Sequence, residues 1–223
     1  MKKKAFLLSF IVLVLCAVMA LVDGVFMADY FIKSGIKLVL FLGIPLIYTF
    51  LDKEVTVKNI FKIDKKGILP AILMGLLVYG VIVGGYFLLR GVFDFTKITG
   101  ALTKNIGVTG KNFIFVSIYI ALVNSLLEEF FFRGFAFLTL SGITGCKSAH
   151  IFSAGVFALY HVAMMIGWFD LPLFIIVMAG LFAGGFIFNV LNKKSGTIYP
   201  SWFLHMFANF GINTVGFILF GII

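Results

Sequence analysis

The sequence predicts an all-α, polytopic transmembrane helix bundle of about seven spans (six to eight), on three observations. Hydrophobic residues are 62% of the 223 and charged residues only 12%, whereas a water-soluble domain carries roughly a quarter charged residues to cover itself. Mean hydropathy is +1.16. The net charge of +9 sits in short clusters between apolar runs, a pattern that suits anionic headgroups and topology control. A nucleic-acid groove would mix basic and aromatic residues on one face, and no such face is present, so the expected partner of these charges is the lipid bilayer and not nucleic acid.

Each span follows from the length a bilayer demands, about 20 mostly apolar residues. The runs are Ala5–Val22, Gly35–Leu51, Gly67–Leu89, Asn112–Leu140, Ser148–Phe169, Leu171–Leu191 and Ile198–Ile222. Lys2, Lys3 and Lys4 before the first run resemble a signal-peptide n-region, but the run is too long for an h-region and no A-x-A site follows, so an uncleaved helix is expected. The second run is short, with Lys33 and Lys37 at its start expected to snorkel to the interface. Arg90–Lys111 is the one long polar connection, read as a loop with a surface helix. In the sixth run, Gly180 and Gly184 have the small-xxx-small spacing of close helix packing. Cys16 and Cys146 lie in or beside apolar runs with no CxxC spacing, so neither a disulfide framework nor a structural metal is expected. Residues 1–223 read as one membrane-embedded domain, with the chemistry-bearing core at about 112–213.

Seven spans permit a charge test of orientation. One side receives Lys2–Lys4, the cluster Lys53, Lys58, Lys62, Lys65 and Lys66, then Lys147, Lys193 and Lys194. The other receives Lys33, Lys37, Arg90, Lys97, Lys104 and Lys111. The more basic side belongs in the cytoplasm, which predicts a cytoplasmic N-terminus and an outside C-terminus.

Function is sought among residues that are costly in a membrane. Glu128, Glu129 and Arg133 interrupt the fourth run around Phe130, Phe131 and Phe132. Each charge costs roughly 2.5–3.5 kcal/mol at mid-bilayer on insertion scales. Glu129 and Arg133 have the i,i+4 spacing of an ion pair. Glu128 lies about a quarter-turn away on a face with Ser117 and Asn124, and is expected to be unpaired and in a different environment. Such a stripe alone fits hydrogen-bonded helix packing equally well. His161 in the fifth run, and the line Ser201, His205, Asn209 and Asn213 in the seventh, turn the set into a candidate site. His150, near the start of the fifth run, is read as an interface marker.

General acid–base work needs a carboxylate in an apolar cavity with a partner to share its proton. A histidine and an amide one turn apart can donate to a developing oxyanion. These parts suffice for peptide hydrolysis by direct water attack. Zinc held by Glu128, Glu129, His161 and His205 is the alternative, disfavoured because neither His belongs to an HExxH pair and Arg133 offsets the local negative charge. No metal or other cofactor is therefore expected.

Glu128-Glu129-Phe130-Phe131-Phe132-Arg133 is an EExxxR element, Phe157–His161 is FxxxH, and His205–Asn209 is HxxxN. In this order on successive spans they resemble the CPBP family, the Rce1-type CAAX prenyl proteases and the bacteriocin-processing or self-immunity proteins. The resemblance covers Ser117 to Asn213. It implies a glutamate-dependent intramembrane endopeptidase, with Glu128 as general base, His161 its partner on the water, and His205 with Asn209 at the oxyanion. Glu129 and Arg133 would support the site. The Lys-, Ile- and Phe-rich composition fits an AT-rich prokaryote, so a prokaryotic plasma membrane and a peptide or membrane-protein substrate are expected. The family was long described as metalloproteases. Two other readings stand beside it: a non-catalytic regulator or immunity protein binding a peptide in the same cavity, and a proton-coupled transporter, for which Gly180–Gly185 would be a helix break.

Overall fold

The computed structural model describes every residue except Met1, Lys53, Glu54, Thr56 and Asp64, and describes no side chain for Lys58 or Lys65. Lys53 of the basic cluster, and the side chains of Lys58 and Lys65, thus lie outside the described residues. The described residues form helices and connections with no strand. Seven helices are long and apolar enough to cross a membrane: Lys2–Phe26, Tyr30–Leu51, Lys66–Leu89, Phe113–Thr144, Cys146–Met165, Leu171–Ser195 and Tyr199–Leu219. The chain is an integral membrane protein, an all-α bundle of seven candidate spans.

The boundaries differ from the apolar runs where polar groups find partners. The second span begins at Tyr30 because Asp29 caps it, its carboxylate accepting from the Phe31 amide at 2.9 Å. The first continues to Phe26 and so takes in Asp23. Between Arg90 and Lys111 lies the expected surface helix, Thr96–Ile106, closed by Gly107 in the left-handed conformation (φ 67°) that glycine adopts without strain. The short turn Lys58–Phe61 meets the start of the seventh span, where the Ile198 amide donates to the Ile60 carbonyl at 3.0 Å.

Four stretches are wide helix with i→i+5 bonds: Val22–Phe26, Val39–Gly43, Ile120–Asn124 and Glu129–Leu138. Wide turns of this kind occur mostly singly and often at functional sites. Ten consecutive residues of it carry Glu129 and Arg133. Neighbouring helices bond to backbone carbonyls along this span: Ser153 Oγ lies 2.8 Å from the Phe132 carbonyl, and Trp202 Nε1 is 3.2 Å from that of Leu122. A phenylalanine mass seals it from the second and fifth spans, with Phe41 stacked on Phe131 at 4.0 Å and Phe132 edge-on to Phe157 at 5.3 Å.

Glycines set the closest helix approaches, though not the expected pair. A Cβ on Gly180 or Gly184 would meet nothing within 4 Å, while one on Gly185 would lie 3.2 Å from the Ala154 backbone and 3.3 Å from Arg133 Nη2. The third and seventh spans meet at Gly75 and Gly211. A Cβ on Gly75 would fall 2.6 Å from the Phe207 ring, so Gly75→Ala is expected to cost about 1–3 kcal/mol through overpacking, read as a lower unfolding midpoint in detergent. The sixth span runs unbroken from Leu171 to Ser195, which removes the helix break on which the transporter reading leaned.

Candidate active site

The fourth span contributes Asn124, Glu128, Glu129 and Arg133, the fifth His161, the seventh His205 and Asn209, and the second Lys37. All eight are buried or nearly so, Glu129 and Arg133 fully. The structure brings Glu128, His161 and His205 together: Glu128 Oε2 lies 4.0 Å from His161 Nε2 and 3.7 Å from His205 Nε2. These separations exceed hydrogen-bond length.

Glu128 is not unpaired, which corrects the sequence expectation. Lys37 reaches in from the second span and donates to Glu128 Oε1 at 2.5 Å and to Asn124 Oδ1 at 2.6 Å. Asn124 completes the ring by donating from Nδ2 to Glu128 Oε1 at 3.1 Å. Oε1 is thus saturated, and Oε2 is the oxygen that faces the two imidazoles. Nor does Lys33 snorkel: it pairs with Asp23 at 2.8 Å, buried. An ammonium reaches water only if its stem points outward, and both stems here point between helices at carboxylates, where pairing offsets the cost of a bare charge. The signal was present in the sequence, since two lysines one turn apart in an apolar run are as anomalous as the two glutamates.

The imidazoles are oriented by their Nδ1 atoms. His161 Nδ1 donates to the Phe157 carbonyl at 2.7 Å, which leaves Nε2 as the nitrogen aimed at Glu128. His205 Nδ1 donates to Glu129 Oε1 at 2.9 Å. Glu128 and Glu129 were expected to face separate environments; His205 lies between them and joins the two.

Glu129 also holds Arg133, as the spacing foretold, with Nη1 to Oε1 at 3.3 Å. That contact is an ion pair without hydrogen-bond geometry, and the guanidinium nitrogens make no hydrogen bond among the described residues. Its Cζ instead lies over the Phe157 ring, 4.0 Å from the centre, and over that of Phe188 at 4.8 Å. Stacking of this kind needs the delocalised plane of arginine. Arg133→Lys is therefore expected to lower the unfolding midpoint despite keeping the charge, while Arg133→Lys with Glu129→Gln should restore little of the loss.

Asn209 donates from Nδ2 to the Ile120 carbonyl at 3.2 Å, and Asn213 to the Ser117 carbonyl at 2.9 Å. The polar line on the seventh span thus binds the backbone of the fourth. Asn209 keeps the second hydrogen of its amide nitrogen. Ser201 bonds within its own helix, to the Ile198 carbonyl. His150, near the start of the fifth span, packs between the Phe137 and Phe186 rings, at 4.5 and 4.9 Å.

No curated protein and no solved structure matches the chain. A family model does: that of the Rce1-like type II CAAX prenyl endopeptidases, over residues 110–211. The matched stretch contains all three motifs and seven of the eight side chains described above, Lys37 being the exception. The match over residues 110–211 is consistent with the CPBP resemblance of the motifs and supports a membrane endopeptidase in general.

Proposed function

We propose that the protein hydrolyses a peptide bond within the membrane, with water activated by Glu128 and His161. The observation that carries this reading is the convergence of Glu128 Oε2 on the Nε2 atoms of His161 and His205. A water between Oε2 and His161 Nε2 would meet two acceptors, one of which takes its proton as oxygen attacks the carbonyl carbon. His205, anchored through Nδ1 on Glu129, would donate from Nε2 to the oxyanion when doubly protonated, with the carboxylates on either side offsetting its charge. The free hydrogen of Asn209 would supply a second donor. Arg133 keeps Glu129 in place beneath His205.

Zinc fits the site poorly. Two imidazoles and one oxygen would be its donors, but the Lys37 ammonium lies against the same carboxylate, and Arg133 and His205 already share Oε1 of the other. A divalent ion there would stand among full positive charges. The mechanism accordingly uses no metal. The charge bias puts the N-terminus in the cytoplasm, and the composition suits a prokaryotic plasma membrane and a peptide or membrane-protein substrate, prenylated or not.

The test is cleavage of fluorogenic and prenylated peptides by the purified protein, with and without chelator. Cleavage is expected to survive chelation. Loss in chelator with recovery on added zinc would overturn the metal-free mechanism. A protein that binds these peptides in the same cavity yet cuts none would be a regulator or immunity protein instead.

A further inference from the structure

A second buried ion pair, outside the motif residues, lines a cavity at the Tyr30 end of the second span, one helical turn from Lys37. Asp23, Lys33, Ala101, Ala163, Met164 and Trp168 are among the walls of this space of about 70 Å³, which lies beneath the surface helix Thr96–Ile106. Lys33 donates to Asp23 Oδ1 at 2.8 Å. Asp23 Oδ2 is equally buried and has no hydrogen-bond partner among the described residues. A carboxylate oxygen in that position is costly unless something donates to it. The cavity has room for several waters at about 10–15 Å³ each, and a buried polar group is what retains them.

Two helices lead from this cavity to Glu128. Lys33 lies one helical turn from Lys37, and Ala163 and Met164 follow His161 by two and three residues. Tyr160 packs beside both site residues, its ring centre 5.0 Å from Lys37 Nζ and 5.0 Å from that of His161. On the outer side the surface helix is held by Lys97 and Asp170 at 2.6 Å, both about half exposed. An exposed pair of this kind holds weakly and is readily broken.

We propose that this cavity is a hydrated vestibule that delivers water, the second reactant of hydrolysis, to the Glu128 centre from the face of the bundle that carries the surface helix. Asp23 and Lys33 are its polar floor, and Thr96–Ile106, latched by Lys97 and Asp170, is its cover. What the water is used for rests on the proposed function; whether it is there does not.

The experiment reads water access without needing a substrate. Ala163→Cys, in a background with Cys16→Ala and Cys146→Ser, is placed in lipid nanodiscs and treated with a charged, membrane-impermeant methanethiosulfonate. Labelling is expected to be at least ten-fold faster than at Leu73→Cys, which is on an exposed apolar face of the third span. Asp170→Asn should speed it several-fold. Asp23→Leu with Lys33→Leu, an apolar replacement of the whole pair, should slow it at least ten-fold. Labelling of Ala163→Cys as slow as that of Leu73→Cys would overturn the proposal, whatever the double variant does. Fast labelling in a protein that cuts no peptide would leave the vestibule standing and sink the protease reading. Slow labelling with normal cleavage would do the reverse.

Discussion

Glu128→Gln is expected to remove hydrolysis, lowering kcat/KM by at least about 10³-fold, within the usual reach of general acid–base catalysis. The structure makes this substitution more informative than it is in most buried sites. The glutamine carbonyl oxygen can still accept from Lys37 and Asn124 as Oε1 does now, so the contacts that fasten the second span to the fourth survive. What disappears is the anionic oxygen facing the two imidazoles. Single-turnover cleavage of any peptide accepted by the wild type, beside a thermal unfolding curve, separates the two effects. Lost cleavage is the expected result, together with a lowered midpoint, because the Lys37 ammonium keeps its hydrogen bonds but is left buried without a counter-charge. Retained cleavage would remove Glu128 from the mechanism, and the water would have to be activated by the histidines alone.

The second large effect is expected at Lys37. Lys37→Met leaves Glu128 buried without its ammonium, and breaking a buried pair from one side costs about 3–5 kcal/mol. For a chain of this size that lowers the unfolding midpoint by on the order of 10 °C. Lys37→Arg, which keeps the charge, should lose much less. The decisive variant is Lys37→Met with Glu128→Gln. Removing both charges should return most of the stability, because the penalty in the single variant comes from the stranded carboxylate rather than from lost packing. A double variant no more stable than Lys37→Met would show that Lys37 acts through its contacts with the Phe41 and Tyr160 rings instead of through Glu128.

Most of the site was legible without coordinates. The EExxxR, FxxxH and HxxxN elements announced themselves because charged and polar groups in apolar helices are rare and costly, and their spacing put them on helix faces. The Glu129–Arg133 pair needed only the repeat of a helix. What escaped was whatever crosses between helices. Lys37 and Glu128 are 91 residues apart, and no periodicity within either span states that they meet. Near the end of a short run, Lys37 resembled a residue that snorkels, and the same reasoning misplaced Lys33. The glycine rule failed for a related reason: Gly180 and Gly184 have the spacing, but Gly185 faces the fifth span and Arg133, because spacing fixes a face and not what that face meets.

The sequence by itself determined the bundle, the seven candidate spans, the surface helix and the motif residues. These follow from the hydrophobic cost of each stretch and from local helix geometry, both properties of contiguous residues. Tertiary structure alone decided which carboxylate oxygen is free, that His205 bridges Glu128 and Glu129, that Arg133 is held by ring faces, and that a second buried pair lines a cavity near the first. Those outcomes depend on how helices rotate and slide against one another. Packing free energy summed over the whole bundle sets that arrangement, and no single segment of the chain encodes it.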